Sequence, residues 1–392
     1  MNTRTFTLLT LFALSGLLTS CLKDNVAVQE FNYTDQEFSV ISRDLNLPID
    51  RDNYLVHLPQ HMMGKGFIPP SINSAKATLG RVLFYDTKLS RNNSVSCASC
   101  HKQELAFSDD LAFSKGFDGQ LTKRNSLPLA STANFEASYG GGGAFNGLKA
   151  GFFWDERAQS IHDQSKLTIQ DDIEMGMDMN ALPGKLANEE YYHILFKKAY
   201  GDDIINENRI LESIQEFVNA FFCVDSKFDE GLNRTNDPFS SFPNYSTAEN
   251  LGKSLFMQHC ASCHSRDMST LSTVVANNGL DAVYADKGLG GISGREQDEG
   301  LFKVPFLRNV ALTAPYMHDG RFATLADVVE HYSSGIQANP NLDPLLYNPS
   351  APGQAMQMNF TQDQKQALVA FLQTLTDYNF IQDARFSDPF KN

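Results

Sequence analysis

Cys97-Ala98-Ser99-Cys100-His101 is repeated letter for letter as Cys260-Ala261-Ser262-Cys263-His264. Two cysteines that are separated by two residues and followed by histidine are typical of c-type haem attachment. Both thiols bond the porphyrin and the histidine ligates the iron. Disulfides or a zinc site are the alternative uses of such cysteines. We predict two covalently bound haem c groups, attached through Cys97, Cys100, Cys260 and Cys263, with His101 and His264 as proximal iron ligands.

The first 20 residues have the pattern of a bacterial export signal. Arg4 precedes an apolar run from Phe6 to Leu18, which is too short to cross a membrane as a helix. The residues Leu18-Thr19-Ser20-Cys21 resemble a lipobox, so residues 1–20 are predicted to be a lipoprotein signal peptide and Cys21 the lipidated residue. An ordinary signal peptide with a coincidental cysteine is the alternative. We therefore expect a location in the cell envelope, on the periplasmic side.

The net charge and the distribution of apolar residues narrow the class of protein further. The formal net charge of −14 argues against nucleic-acid binding and could attract a basic redox partner. No later apolar run is long enough to span a bilayer, so membrane contact is expected only through the lipid anchor. Residues 21–73 show little periodicity and are predicted to be a tether and N-terminal extension.

An internal repeat accompanies the two haem motifs. Leu79–Phe84 precedes the first motif and Leu251–Phe256 precedes the second, and both stretches have helical apolar spacing. We predict a mainly α fold with two cytochrome c-like haem domains, at 74–240 and 241–392. The linker is expected near residues 233–245, which are rich in Asn, Ser and Pro.

Capping patterns locate further helices. Ser246 and Glu249 form a predicted capping box at the start of the repeated helix, and Thr361 with Gln364 predicts the start of a last amphipathic helix. Cys223, the one cysteine that is assigned neither to lipid nor to haem, follows a helical apolar pattern and is predicted to be an inert buried thiol.

Longer segments around the motifs resemble the bacterial di-haem cytochrome c peroxidase family, in the branch that includes MauG. The resemblance covers roughly residues 75–378 and follows the order of the family's motifs. In that family one haem meets hydrogen peroxide, and the other receives electrons from a donor protein. The resemblance implies a peroxidatic N-terminal domain and an electron-transfer C-terminal domain. It rests on LGRVLFYDTKLS, both CASCH motifs, KRNS, FFWDERA, FKVPFLRNVALTAPYMHDG and FLQTL.

One departure from the family concerns the peroxidatic iron. In typical peroxidases of this family, a distal histidine seven residues before the Arg-Asn pair blocks the N-terminal haem at rest. Here the pair is Arg124-Asn125, and Phe117 stands seven residues earlier. Because phenylalanine cannot ligate iron, we predict that this iron is open in the resting protein.

The resemblance also implies the groups that handle peroxide. It assigns proton transfer to Glu174 and orientation of peroxide to Gln164, although a solvated surface role is the ordinary expectation for a single glutamate. Thr168 occupies a position where the family often has proline. Trp154 matches the tryptophan that lies between the two haems as an electron relay, with simple packing as the alternative. Glu156 stands where the family has glycine.

Two further sites are implied by the resemblance. A calcium ion would bind the Asn125 side chain and the carbonyl oxygens of Thr313 and Pro315, since calcium prefers oxygen ligands. The sixth ligand of the C-terminal iron would be Tyr332, fourteen residues after His318, as in MauG. His331, Met356 and Met358 are competing ligands, and core packing of Tyr332 is the remaining alternative.

Three functions are open at this point. The first is reduction of hydrogen peroxide to water, with electrons from a small redox protein entering through the C-terminal haem. The second is MauG-like oxidation of a partner protein's side chains by high-valent haem. The third is a non-enzymatic di-haem electron carrier with both irons six-coordinate.

Overall fold

The computed structural model describes residues 32–49, 53–63, 69, 71–130, 151–268 and 272–391, and the signal peptide with Cys21 lies outside them. The described residues are largely helical, as predicted, and none of their helices is long and apolar enough to cross a bilayer. The α-helices are α1 (Asp35–Asp44), α2 (Ser74–Tyr85), α3 (Cys97–Cys100), α4 (Ile161–Gln170), α5 (Leu182–Leu186), α6 (Glu190–Tyr200), α7 (Glu207–Asn219), α8 (Lys227–Thr235), α9 (Thr247–His259), α10 (Ala261–His264), α11 (Gly290–Ser293), α12 (Leu325–Glu330), α13 (Gln362–Gln373) and α14 (Tyr378–Gln382).

Short elements connect these helices. Strand β1 (Val275–Ala276) pairs antiparallel with β2 (Phe302–Lys303), and Val275 lies opposite Lys303. A π-helix, His331–Gly335, continues α12. The 3₁₀-helices are Gln60–Met62, Thr87–Leu89, Gln103–Leu105, Glu296–Asp298, Val310–Leu312, Pro344–Leu346 and Ala384–Phe386.

The internal repeat corresponds to a repeated helix crossing. In the first copy, a Cβ added to Gly80 of α2 would lie 1.8 Å from the backbone oxygen of Ser213 in α7. In the second copy, a Cβ added to Gly252 of α9 would lie 1.8 Å from the backbone oxygen of Ala367 in α13. Each crossing therefore requires glycine, because any side chain would push the two helices apart.

The phenylalanine one turn after each of these glycines completes the crossing. Phe84 packs edge-on against Phe217, with ring centroids 5.4 Å apart, and Phe256 packs against Phe371 at 5.0 Å. All four rings are at most 1 % exposed. Burying such a side chain contributes roughly 1.5–3 kcal/mol, so each crossing forms the centre of its own hydrophobic core.

The predicted helix starts are confirmed. The Ser246 side chain accepts from the Glu249 N–H, and the Glu249 carboxylate accepts from the Ser246 N–H, which closes the capping box of α9. Thr361 and Gln364 form the same arrangement at the start of α13. The backbone N–H groups at the start of these helices thus find hydrogen-bond partners within the same turn. Tertiary packing needs only to orient helices whose starts the sequence has already set.

The two cores do not follow the predicted division between residues 240 and 241 throughout. Phe228 and Leu232 of α8 are buried in the second core, whereas Phe380 and Phe386 near the C-terminus are buried in the first. Each half of the chain therefore contributes a segment to the core of the other. This exchange of buried segments joins the two halves of the chain through their cores.

The described part of residues 21–73, which were predicted to be a tether and N-terminal extension, contains a helix that packs on the rest of the chain. Thr34 and Glu37 form a capping box that starts α1, and α1 packs against α6. His61, only 2 % exposed, lies with its Nε2 3.4 Å from a carboxylate oxygen of Asp229 in α8. Local capping and buried polar contacts thus order a segment whose apolar periodicity is weak.

Candidate active site

The first haem motif lies in the wall of a cavity of about 740 Å³. Cys97 and Cys100 stand at the two ends of the one-turn helix α3, and His101 follows immediately. Ser96 and Ser99 cap this turn reciprocally, which fixes both thiols on a short rigid element. All three functional side chains of the motif line the same cavity.

His101 is held in the form that binds iron. Its Nδ1 lies 2.8 Å from the backbone oxygen of Phe107, so Nδ1–H donates to that carbonyl and Nε2 is the nitrogen available for a metal. Burial lowers the pKa of His101, which favours the neutral ring. Among the described residues, His101 is the only histidine in the wall of this cavity.

The second motif has the same arrangement in a smaller cavity of about 210 Å³. Cys260, Cys263 and His264 line it, and His264 Nδ1 lies 3.1 Å from the backbone oxygen of Pro305. Burial lowers the pKa of His264 to about 4. Each cavity thus offers the two thiols of its motif and the neutral imidazole that follows them, with Nε2 available, a donor set that fits a covalently bound haem. The wall of the second cavity also contains His259 and His318.

The polar part of the first cavity comes from α4 and the turn after it. Ser160 accepts from the Asp163 N–H at 3.0 Å and starts the helix. Gln164 and Thr168 lie one turn apart on α4, and Gln164 Nε2 donates to Thr168 Oγ1 at 3.0 Å. Both side chains line the cavity, together with Glu174. The structure therefore brings Gln164 and Glu174 into one site, as the sequence predicted.

Glu174 is the titratable group of this site that is best matched to neutral pH. Its backbone is held in a turn, where Asp171 Oδ1 accepts from the N–H groups of Ile173 at 2.8 Å and Glu174 at 3.0 Å. Burial, and secondly the Asp171 carboxylate, raise the pKa of Glu174 to about 7, against opposing effects of the Thr168 hydroxyl and Arg157. A carboxyl group with this pKa can both take up and release a proton near neutrality.

Phe117 is anchored outside the described cavity wall. Its ring lies against Gly176, where an added Cβ would be 2.5 Å from Phe117 Cε1, and the Arg91 guanidinium lies 5.1 Å from the ring centroid. The Phe117 N–H donates to the Glu174 carbonyl at 3.0 Å, and its own carbonyl accepts from Asn92 Nδ2 at 2.8 Å. The loop that carries Phe117 is thus fixed to the Glu174 turn.

Trp154 lies in the walls of both cavities. Its indole is 9 % exposed and Nε1–H donates to the Asn125 carbonyl at 2.9 Å. The Lys303 N–H donates to the Trp154 carbonyl at 2.8 Å, which ties this residue to strand β2. The position between the cavities agrees with the predicted relay, although buried packing alone would satisfy the same contacts.

The sequence did not reveal the buried ion pair next to Trp154. Lys303 Nζ lies 2.7 Å from Glu156 Oε1 and donates to the Gly151 carbonyl at 2.6 Å, and the Gly151 N–H donates to the Glu156 carboxylate. Glu156 has a φ of 60°, a conformation that favours the glycine found there in the family. The sequence shows Glu156 as a departure from the family's glycine. It does not show the ion pair, because Lys303 is distant in the chain.

The three residues predicted to bind calcium all contribute to the wall of the second cavity. Asn125, Thr313 and Pro315 all line it, and the Asn125 N–H donates to the His318 carbonyl at 2.8 Å. Within the described part of the chain, no cluster of three or more His, Cys, Asp or Glu residues could hold a metal ion. The calcium ligands expected here are an amide and two carbonyl oxygens, so calcium binding stays a prediction.

Tyr332 lines the second cavity together with His264, and Met358 is also part of this wall. Burial raises the pKa of Tyr332 to about 12, while a hydrogen bond from Asn278 opposes the shift. His331 begins the π-helix, and its Nε2 lies 3.1 Å from the Asn278 carbonyl oxygen. Among the candidates, Tyr332 and Met358 lie in the described wall of the cavity, whereas His331 and Met356 do not.

Comparisons with known proteins agree with this geometry. Residues 74–237 match the family described as di-haem cytochrome c peroxidase. The chain is 30 % identical over 356 residues to the methylamine utilization protein MauG of Paracoccus denitrificans, covering 79 % of this chain and 90 % of that protein. It is 29 % identical over 309 residues to the cytochrome c551 peroxidase of Nitrosomonas europaea, covering 78 % of this chain and 80 % of that protein.

A solved structure shares the fold. The crystal structure of a MauG-like protein associated with microbial copper homeostasis matches with a TM-score of 0.70 and 28 % identity, covering 86 % of this chain and 99 % of that one. The chain therefore belongs to the MauG-like di-haem cytochrome c peroxidase family. It is an oxidoreductase of the peroxidase type, and its family implies two c-type haems.

Proposed function

We propose that this protein reduces hydrogen peroxide to water at the N-terminal haem, with electrons entering through the C-terminal haem from a small redox protein. The observation that carries the proposal is Glu174, whose pKa of about 7 coincides with its place in the cavity that holds the first CASCH motif. Residues 74–240 and 241–392 would form the two cytochrome c-like domains.

The protein's own groups provide proton transfer and orientation. A haem held by Cys97, Cys100 and His101 would supply redox-active iron. Glu174 accepts a proton from peroxide and delivers it to the departing oxygen, and Gln164 orients the peroxide by hydrogen bonding. Each peroxide takes up two electrons and two protons and yields two molecules of water. Phe117 has no atom that could ligate an iron bound there, so the enzyme would need no reductive activation.

Electrons would cross between the domains by way of Trp154. Its indole lies in the walls of both cavities and its backbone is fixed at Asn125 and Lys303. Calcium bound by Asn125, Thr313 and Pro315 would hold the same junction. A lipid on Cys21 would anchor the enzyme at the periplasmic side of the cell envelope.

Tyr332 favours a second candidate function, which is oxidation of a partner protein's side chains. A phenolate ligand from Tyr332 on the C-terminal iron would stabilise ferric and higher oxidation states, because it is anionic and hard. Such a ligand would make the C-terminal haem a better store for an oxidising equivalent. A pure electron carrier is the weaker reading, because it would leave Glu174 and Gln164 without a role.

The spectrum of the purified diferric protein and a turnover assay test these alternatives. One high-spin haem that binds cyanide without prior reduction, and peroxide consumption coupled to a reduced small cytochrome, are the expected results. Two low-spin haems that ignore both cyanide and peroxide would contradict the proposal and leave the carrier reading. Peroxide-dependent modification of a candidate partner protein, with no oxidation of the cytochrome, would select the MauG-like function.

A further inference from the structure

Thr168 joins the two side chains that are assigned to peroxide. Gln164 Nε2 donates to Thr168 Oγ1 at 3.0 Å, and the Thr168 hydroxyl lies close enough to the Glu174 carboxyl group to lower its pKa. All three side chains line the first cavity. The Thr168 hydroxyl is therefore hydrogen-bonded to the amide on α4 and shares the cavity wall with the carboxyl group on the turn that follows this helix.

The chemistry of a hydroxyl group fixes the direction of both bonds. A threonine hydroxyl has one hydrogen to donate and lone pairs to accept with. Because Oγ1 accepts from Gln164 Nε2, its own hydrogen is available for the Glu174 carboxylate. With Nε2 directed at Thr168, the amide oxygen of Gln164 is the atom that this side chain can offer to peroxide. A valine or proline side chain could make neither bond.

We infer that Thr168 is a positioning residue of the peroxidatic site, which sets the amide orientation of Gln164 and holds the Glu174 carboxylate by a hydrogen bond. The inference rests on the function proposed above, since it concerns the groups of the same site. It adds a residue to that site at a position where this chain departs from the family.

The electrostatics of Glu174 agree with this role. Burial and the Asp171 carboxylate favour the protonated acid, whereas the Thr168 hydroxyl and the Arg157 guanidinium favour the carboxylate. The Cys97 and Cys100 thiols also lie near Glu174, but they become uncharged thioethers when haem is attached. Thr168 is thus one of two groups that offset burial and keep the pKa of Glu174 close to 7.

The test compares Thr168→Val, which keeps the shape but removes the hydroxyl, with Thr168→Ser, which keeps the hydroxyl. Thr168→Ala is a second variant without the hydroxyl, in case valine disturbs the cavity. Thr78→Val is a matched control, because Thr78 is a buried helical threonine whose hydroxyl donates to the Ser74 carbonyl at 2.8 Å, outside the cavity wall. All variants are studied as the haem-loaded diferric protein.

The first readout is an infrared pH titration of the Glu174 carboxyl band, identified by its loss in Glu174→Gln. The second is the pH dependence of the reaction with peroxide. Thr168→Val and Thr168→Ala should raise the midpoint by about one pH unit, which lowers the ionised fraction at pH 7 about fivefold. Thr168→Ser and Thr78→Val should keep the midpoint of the original protein.

An unchanged midpoint in both Thr168→Val and Thr168→Ala would overturn the inference, as would an equal shift in Thr78→Val. The infrared titration separates this failure from a failure of the proposed function. If the original protein does not consume peroxide, the proposed function fails, but the infrared midpoint still reports whether Thr168 holds Glu174.

Discussion

The two haem cavities share the same five-residue motif but differ in the other residues that line them. In the first, Gln164 and Glu174 add an amide and a titratable carboxyl group to the motif. In the second, Tyr332 and Met358 stand among mostly apolar neighbours. The motif therefore specifies the cofactor, whereas side chains from distant parts of the chain specify what each cofactor can do.

Glu174→Gln tests the polar side of this comparison and has the largest expected effect. The change keeps the volume and removes the titratable group, so the rate of the peroxide reaction should fall by about 10²–10⁴-fold, while haem content and the resting spectrum stay the same. Stopped-flow kinetics with peroxide measure this directly. Glu104→Gln, at an exposed position outside the cavity wall, is the control, and an unchanged rate in Glu174→Gln would remove Glu174 from the mechanism.

Lys303→Met tests the buried ion pair with Glu156, at a residue that lines both cavities. It leaves the Glu156 carboxylate buried and without its cation, which typically costs about 3–5 kcal/mol of unfolding free energy. The double variant Glu156→Gly/Lys303→Met removes both charges and suits the φ of 60° at residue 156, so it should recover most of that loss. Chemical denaturation of the haem-loaded variants measures both, and equal losses in the single and double variants would show that the pair is not coupled.

The pH dependence of the peroxide reaction sharpens the same comparison. The carboxylate form of Glu174 accepts the proton, and its pKa is raised to about 7, so activity should increase with pH through neutrality. The ionised fraction, and with it the rate, should rise about tenfold between pH 6 and pH 8. A flat profile across this interval in the original protein would mean that another group accepts the proton.

Tyr332→Phe tests the second cavity and has the smallest expected effect on peroxide chemistry. Both haems should stay attached, while the C-terminal haem becomes five-coordinate or takes another ligand, such as Met358. Absorption and electron paramagnetic resonance spectra measure the change. Tyr316→Phe is the matched control, because Tyr316 lines the same cavity but donates its hydroxyl to the Val310 carbonyl at 2.9 Å. Identical spectra of Tyr332→Phe and the original protein would reduce Tyr332 to core packing.

The sequence by itself determined the features that depend on near neighbours in the chain. These are the two haem motifs, the capping boxes at Ser246 and Thr361, and the repeated helices. Each depends on residues a few positions apart, and the predicted helices begin at the expected residues. The resemblance to a known family then placed Gln164, Glu174 and Trp154 at the cavities.

Only the tertiary structure decided which distant groups meet. It joined Glu156 to Lys303 and packed the N-terminal extension against the rest of the chain. It also paired His331 with the Asn278 carbonyl and brought the hydrogen-bonded pair Gln164 and Thr168 into the cavity that Glu174 lines. The physical reason is that hydrogen bonds and ion pairs between separate elements depend on how helices cross, and sequence spacing does not encode that geometry.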